Sequence, residues 1–358
     1  MTIRIRDLAF VLVFVAVHSD VPGQSVRPIR DNVGFCWDAA QMKRMMTYLE
    51  SHEVPLQVHD PLVAGISPHD DYLYAGRVYF PLYERLRTKE VVIFGVTHGG
   101  VRKEIGDPRR VLIFDEFPAW RGVRGPVAIS PLREFLKQHL DPGDFIVSNK
   151  AHELEHSVEA LIPFIQYYNP EVKITPIMVT AMPFDTMETI AERLASAIAK
   201  YMRSYNLVAG SDIAFLISSD ANHYGKDFNN APFGEDEAAH TQGTSRDTSI
   251  AHACLVGPLT EGKIRSLTTK LWGKTYIDST NLVWCGRYSV PFGLLTIEKT
   301  LRKVGMADLN GRLLRYSDTY TEGVLPLTQT GMGVTAVFSL KHWVGFLSVA
   351  YTSRTGAR

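Results

Sequence analysis

Along this chain, short and nearly unbroken apolar runs alternate with longer segments whose apolar residues recur every three or four positions. Residues 62–66, 91–96, 174–179, 213–217 and 333–339 are runs of the first kind, and such runs suit strands covered on both faces. Residues 37–50, 157–168 and 187–203 are of the second kind, with Met42, Met45 and Leu49, then Val158, Leu161 and Ile165, then Ile190, Leu194 and Ile198 on their stripes. These stripes predict helices packed against a sheet. The alternation predicts an α/β fold: a single-domain, three-layer α/β/α sandwich with a mostly parallel or mixed central sheet. Two segments break the rhythm. Residues 111–129 carry β-rich pieces around Trp120, Gly122 and Gly125 and predict an inserted hairpin. Residues 243–249 predict a polar turn ahead of a helix over 250–255, with Asp247 or Thr248 as its cap.

Composition narrows the function. The chain has 358 residues, 45% of them hydrophobic and 21% charged, enough to bury a large core. Its 38 basic and 38 acidic residues cancel, which argues against a phosphate-tracking surface and against nucleic acid as a partner. At the N-terminus, Arg4 and Arg6 precede an apolar run over 8–17 and then Ser19. That pattern predicts a signal peptide over 1–19, too short to span a bilayer core of about 30 Å. The expectation is a secreted or periplasmic protein with no transmembrane span, cytoplasmic only if the leader is not cleaved, with the folded domain over 30–345. Three cysteines, Cys36, Cys254 and Cys285, leave at least one thiol unpaired.

Candidate chemistry gathers where apolar runs end. His69 follows LVAGISP, His98 follows VVIFGVT, and Asp220 and His223 follow IAFLISS. In an open α/β sheet the loops at the carboxyl ends of the strands converge on one rim. Two imidazoles and one anionic group with open positions suit a divalent metal, iron(II) by preference, with zinc or copper as alternatives. Asp70, Asp71, Asp220 or the thiolate of Cys285 could supply the anion; equally, Cys285 reads as a small buried apolar residue.

Five segments carry a family resemblance. SPHDDYLYAG, GVTHGG, EHSVEALIPFIQ, SSDANHYG and WCGRYSVPFG resemble, in order and spacing, the APHAGY, GPSHH, EHSIEMHLPYL, SSDFCHWG and CGRHPIG segments of the Memo family, the protein B component of the AmmeMemoRadiSam system. The match runs from about Ala64 to about Thr300. It implies a fold similar to class III extradiol dioxygenases, metal ligands at His69, His98 and Cys285, and Asp220 and His223 as the family's acidic and histidine pair. It also implies iron(II)-dependent oxygen chemistry with His223, positioned by Asp220, moving a proton. The radical-SAM and AMMECR-type partners it implies belong inside the cell, against the leader. Departures fall beside these positions: Asp70 and Asp71 replace an Ala-Gly pair, and Gly99, Leu161 and Tyr288 replace histidines. Asp70, Asp71, Tyr72, Glu155, His156 and Tyr288 are expected around the cleft.

One motif competes. His152-Glu153-Leu154-Glu155-His156 satisfies H-E-x-x-H, the zinc-peptidase helix signature. On a helical wheel drawn through Leu154, Val158, Leu161 and Ile165, both histidines face away from the core, which favours instead a helix starting at Glu155. The functions carried forward are therefore a Memo-like metalloprotein with iron(II)-dependent redox or dioxygenase-type chemistry, a non-catalytic small-molecule or peptide-binding protein using the same cleft, and, last, the zinc peptidase.

Overall fold

The computed structural model describes residues 25–54, 60–277, 284–306 and 309–353; the predicted leader over 1–19 lies outside them. At its centre four apolar runs form parallel strands in the order β1 (Leu62–Ser67), β8 (Ile213–Ser218), β2 (Glu90–Val96) and β7 (Lys173–Val179). They are buried almost throughout, as strands sandwiched between helical layers must be. Antiparallel strands extend both sides. β12 (His342–Ser353) lies against β1 and is followed outward by β11 (Leu309–Asp318) and β10 (Gly257–Pro258). β3 (Leu112–Phe114) and β6 (Phe145–Val147) continue beyond β7. The sheet is thus mixed, with a parallel heart. β12 runs past residue 345, beyond the expected domain boundary.

Two apolar layers cover the faces. On one side the helix Phe184–Ser204 buries Met187, Ile190, Leu194 and Ile198, and Ser289–Lys303 packs beside it. On the other, Ala39–His52 and Tyr72–Tyr83 bury Met42, Met45, Leu49 and a cluster of tyrosines. Among the described residues, no helix is long and apolar enough to cross a membrane. All three cysteines are free.

Several predicted elements are corrected. Residues 333–339 form no strand, and Val337 is 86% exposed. Their backbone donors go to loop partners, Gly333 N–H to Val33 O and Thr335 N–H to the Asp71 carboxylate, so no ladder forms and the strand begins at His342. The predicted turn at 243–249 is the middle of one long helix, Glu237–Cys254, capped by Asp236. There Thr244 and Thr248 donate to carbonyls one turn back, which lets hydroxyl-rich sequence stay helical, and Asp247 is buried, not a cap. The hairpin exists as β4 (Ala119–Trp120) with β5 (Val127–Ile129), while residues 112–114 join the main sheet. The helix predicted over 157–168 starts as a single tight turn, Glu159–Leu161, before Ile162–Tyr168. Pro163 sits in the first turn of the latter, where its missing N–H matters least.

Candidate metal centre

β1, β8 and β2 are neighbours, and Ser67 pairs with Ser218 while Phe94 pairs with Ile217. Their carboxyl ends therefore place His69, Asp220 and His98 side by side. Cys285 comes from the turn before the helix Ser289–Lys303, and Glu155 and His156 from the link after the helix Asn149–Leu154. Two glycines allow these approaches. A Cβ on Gly95 would strike Val158 and one on Gly286 would strike Ser219, so only glycine lets the link lie against β2 and the turn against β8.

His69 is 2% exposed. Its Nδ1 lies 2.7 Å from Ser218 Oγ, whose own proton goes to Ser157 O at 2.6 Å. Ser218 can only accept from the imidazole, so Nδ1 carries the proton and the Nε2 lone pair faces the centre. His98 is fixed the same way: Nδ1 meets Glu155 Oε1 at 2.8 Å and its backbone N–H donates to Oε2 at 2.9 Å. Glu155 also accepts from the backbone of His156 and Ser157. Burial opposes its charge, but His98 and these donors prevail and hold the carboxyl well below the usual range.

The Cys285 sulfur lies 3.4 Å from His69 Nε2 and accepts from the Asp220 backbone N–H at 3.1 Å. Nitrogens of His69 and His98 and the sulfur of Cys285 lie mutually within 4.8 Å, as do atoms of Asp220, His223 and Cys285. An ion with bonds of about 2.0–2.3 Å could draw either trio together by small side-chain movements. Burial and the nearby Asp220 charge push the thiol's pKa well up, and burial lifts Asp220 to about 7. Burial, with neighbouring imidazoles, lowers His223 to about 3 and His156 to about 4. Burial and the neighbouring imidazoles hold His69 well below the ordinary histidine value, whereas at His98 burial is outweighed by Glu155, which raises the pKa, so a metal there displaces a proton. Imidazoles beside a thiol that needs a cation to ionise are the donor chemistry of a soft or borderline metal. His223 Nε2 is buried without a hydrogen-bond partner, 3.9 Å from Asp220 Oδ2.

A cavity of about 540 Å³ opens in front of this centre, and a second of about 260 Å³ lies on the Cys285 side. His156 faces the first, stacked on His98 at 4.8 Å. Asp70 and Asp71 also line it, neither as a solvated acidic turn: Asp71 is 3% exposed and accepts from Thr335. Tyr288 lines the second, its hydroxyl donating to Tyr276 O. Tyr72 is corrected: it lines neither cavity, because its hydroxyl donates to Ala160 O and its ring packs on Phe164 and Tyr79. Sequence reasoning missed Ser218 and Ser157, whose partners are set by tertiary contact, and the cavity walls at Phe35, Phe228, Phe338 and His342.

The H-E-x-x-H segment is not a zinc helix. The helix ends at Leu154, and Glu155 has φ −94° and ψ 138°, so the two histidines do not share a helical face. Contrary to the wheel, His152 is fully buried, with Nε2 on Ile113 O at 3.0 Å. The wheel failed because it continued one helix through an extended residue.

The sequence model of the Memo-like protein family matches residues 36–324. A MEMO1 family protein of Pyrobaculum arsenaticum is 34% identical over 169 residues, 45% of this chain and 53% of its own length. One from Saccharolobus solfataricus is 34% identical over 167 residues (44% and 52%), and one from Pyrococcus horikoshii 29% over 182 (48% and 56%). The chain thus spans about half the length of the curated relatives it matches. With a family match over most of its length, this chain belongs to the Memo-like family.

Proposed function

We propose that this protein binds one divalent metal through His69, His98 and Cys285, iron(II) by preference over zinc or copper, and acts on a small ligand admitted by the larger cavity. The observation that carries the reading is the pair of fixed ring orientations: Ser218 and Glu155 each occupy an Nδ1, which leaves both Nε2 atoms for a metal beside the half-buried Cys285 thiol. When bound, iron(II) would supply redox and dioxygen chemistry with open positions for a ligand. The chain's own groups would hold and move the proton. His223 is neutral at pH 7 with a buried Nε2 free to accept, and Asp220, near its own midpoint at that pH, stands next to it.

Metal analysis of anaerobically purified protein tests this. About one ion per chain is expected in the wild type, with loss in His69→Ala, His98→Ala and Cys285→Ser and no change in Glu153→Gln, whose side chain is exposed on the short helix. A metal-free wild type, or a Cys285→Ser protein that holds metal as well as the wild type, would overturn it. The cavity favours a second reading, ligand binding without turnover; that reading expects Cys285→Ser to retain ligand affinity.

A further inference from the structure

The walls of the larger cavity have a chemistry of their own. On one side, rings run in series: His223 contacts Phe228 (centroids 5.1 Å apart), Phe228 contacts His342 (4.5 Å) and His342 contacts Phe338 (5.2 Å). On the other, Phe35 stands over His156 at 6.5 Å. Asp31, Asp70, Asp71 and Asp220 line the same cavity. Arg30 is the one guanidinium among the described lining residues, and its Nε is already turned to Leu154 O.

A dication held with one thiolate leaves a single positive charge, with Asp220 beside it. Among the described lining residues the carboxyls of Asp31, Asp70 and Asp71 face a single guanidinium, so the outer cavity is rich in oxygen acceptors for a cation whether or not metal is loaded. Aromatic faces combined with carboxylates are the recognition chemistry of organic cations, and about 540 Å³ is within the usual range for a small ligand. An anionic ligand would meet these carboxyls, with Arg30 as the one guanidinium among the described lining residues.

Position in the chain adds an independent point. His69, His98, Asp220, His223 and Cys285 all fall inside the span matched by the family model, residues 36–324. Asp31, Phe35, Phe338 and His342 fall outside it. The centre belongs to the family, while much of the wall is supplied by flanking segments of this chain.

We infer that the ligand of this site is an organic amine carried as a cation on an aromatic or apolar body, held between Phe35, Phe228 and Phe338 with its ammonium toward Asp31 and Asp70. This rests on the proposed function for the site's position, not for its charge preference. The test is calorimetric titration of the full chain, chelator-treated and zinc-loaded in parallel, with phenethylamine and with its anionic counterpart phenylacetate. The amine is expected to bind at least about tenfold more tightly in both forms, since the outer carboxylates and rings do not depend on metal. Asp31→Asn/Asp70→Asn should reduce amine affinity about tenfold or more, and Phe338→Ala should weaken it severalfold, with melting curves checking the fold. Equal or tighter binding of phenylacetate, no measurable amine binding, or an unchanged affinity in a folded double variant overturns the inference. The metal content of the same samples reports separately on the proposed metal site.

Discussion

Ser218 shows how much a single hydroxyl decides here. Its proton is given to Ser157 O, so it can only accept from His69, and the imidazole has no choice of tautomer. Ser218→Ala removes that acceptor inside a fully buried cluster. The expected result is a stability loss of about 1–3 kcal/mol from the unsatisfied Nδ1–H and a metal affinity about 10–100-fold lower. Chelator competition on folded protein measures the second effect; an unchanged affinity would show that Ser218 does not orient the ligand. The ligand candidates themselves were legible because each follows an apolar run, and strand ends converge by geometry. Ser218 was not, since a serine closing a strand reads the same whether its partner is water or an imidazole brought from far along the chain.

At the scale of elements, the question is what holds β9 (Asp220–Gly225), which carries Asp220 and His223, next to the turn carrying Cys285. Asp247, from the middle of the helix Glu237–Cys254, does so. Its carboxylate accepts from Trp284 Nε1 at 2.8 Å, Asn222 N at 3.2 Å and Tyr316 Oη at 2.9 Å. Burial outweighs these three donors and lifts its pKa to about 7, against about 3.9 for an unfolded aspartate. Between those values the folded state holds the extra proton, so this group's contribution is full below about pH 4 and is lost as pH rises through about 7. Asp247→Asn abolishes that titration. Urea unfolding at pH 5 and pH 7 should show the wild type losing stability over this interval by on the order of 1–3 kcal/mol more than the variant; parallel slopes would sink the assignment. The sequence pattern missed this device because a polar run of Gly, Thr, Ser and Asp imitates a turn. Only the hydroxyl-to-carbonyl bonds one turn back, and a tryptophan from a distant turn, make it the inside of a helix.

Across the whole molecule, the stretch 27–35 is a strap along the cavity wall. Arg27 is 1% exposed and lies over the Trp120 ring, 4.5 Å from its centroid. Its guanidinium donates to the carbonyls of His152 and Glu155 and pairs with Glu159, while Glu159 accepts from the backbone N–H groups of Arg30 and Asp31. The strap therefore ties the cavity wall at Asp31 and Phe35 to the link that holds Glu155 and, through it, His98. If the leader is cleaved near Ser19, as we propose, Arg27 stays in the mature chain; N-terminal sequencing of protein from a secretion-competent host should begin between residues 19 and 26, and an intact Met1 would count against export. The fold class was readable from periodicity, yet this closure was not, because no apolar pattern marks a segment held by one arginine. Replacing Arg27 by Ala leaves Glu159 buried without its cation, for which about 3–5 kcal/mol of lost stability is expected. Glu159→Gln added to that background removes the stranded charge and should restore part of the loss while leaving the strap without its ionic anchor. If the double variant is no more stable than Arg27→Ala alone, the clamp works by packing on Trp120 and not by charge.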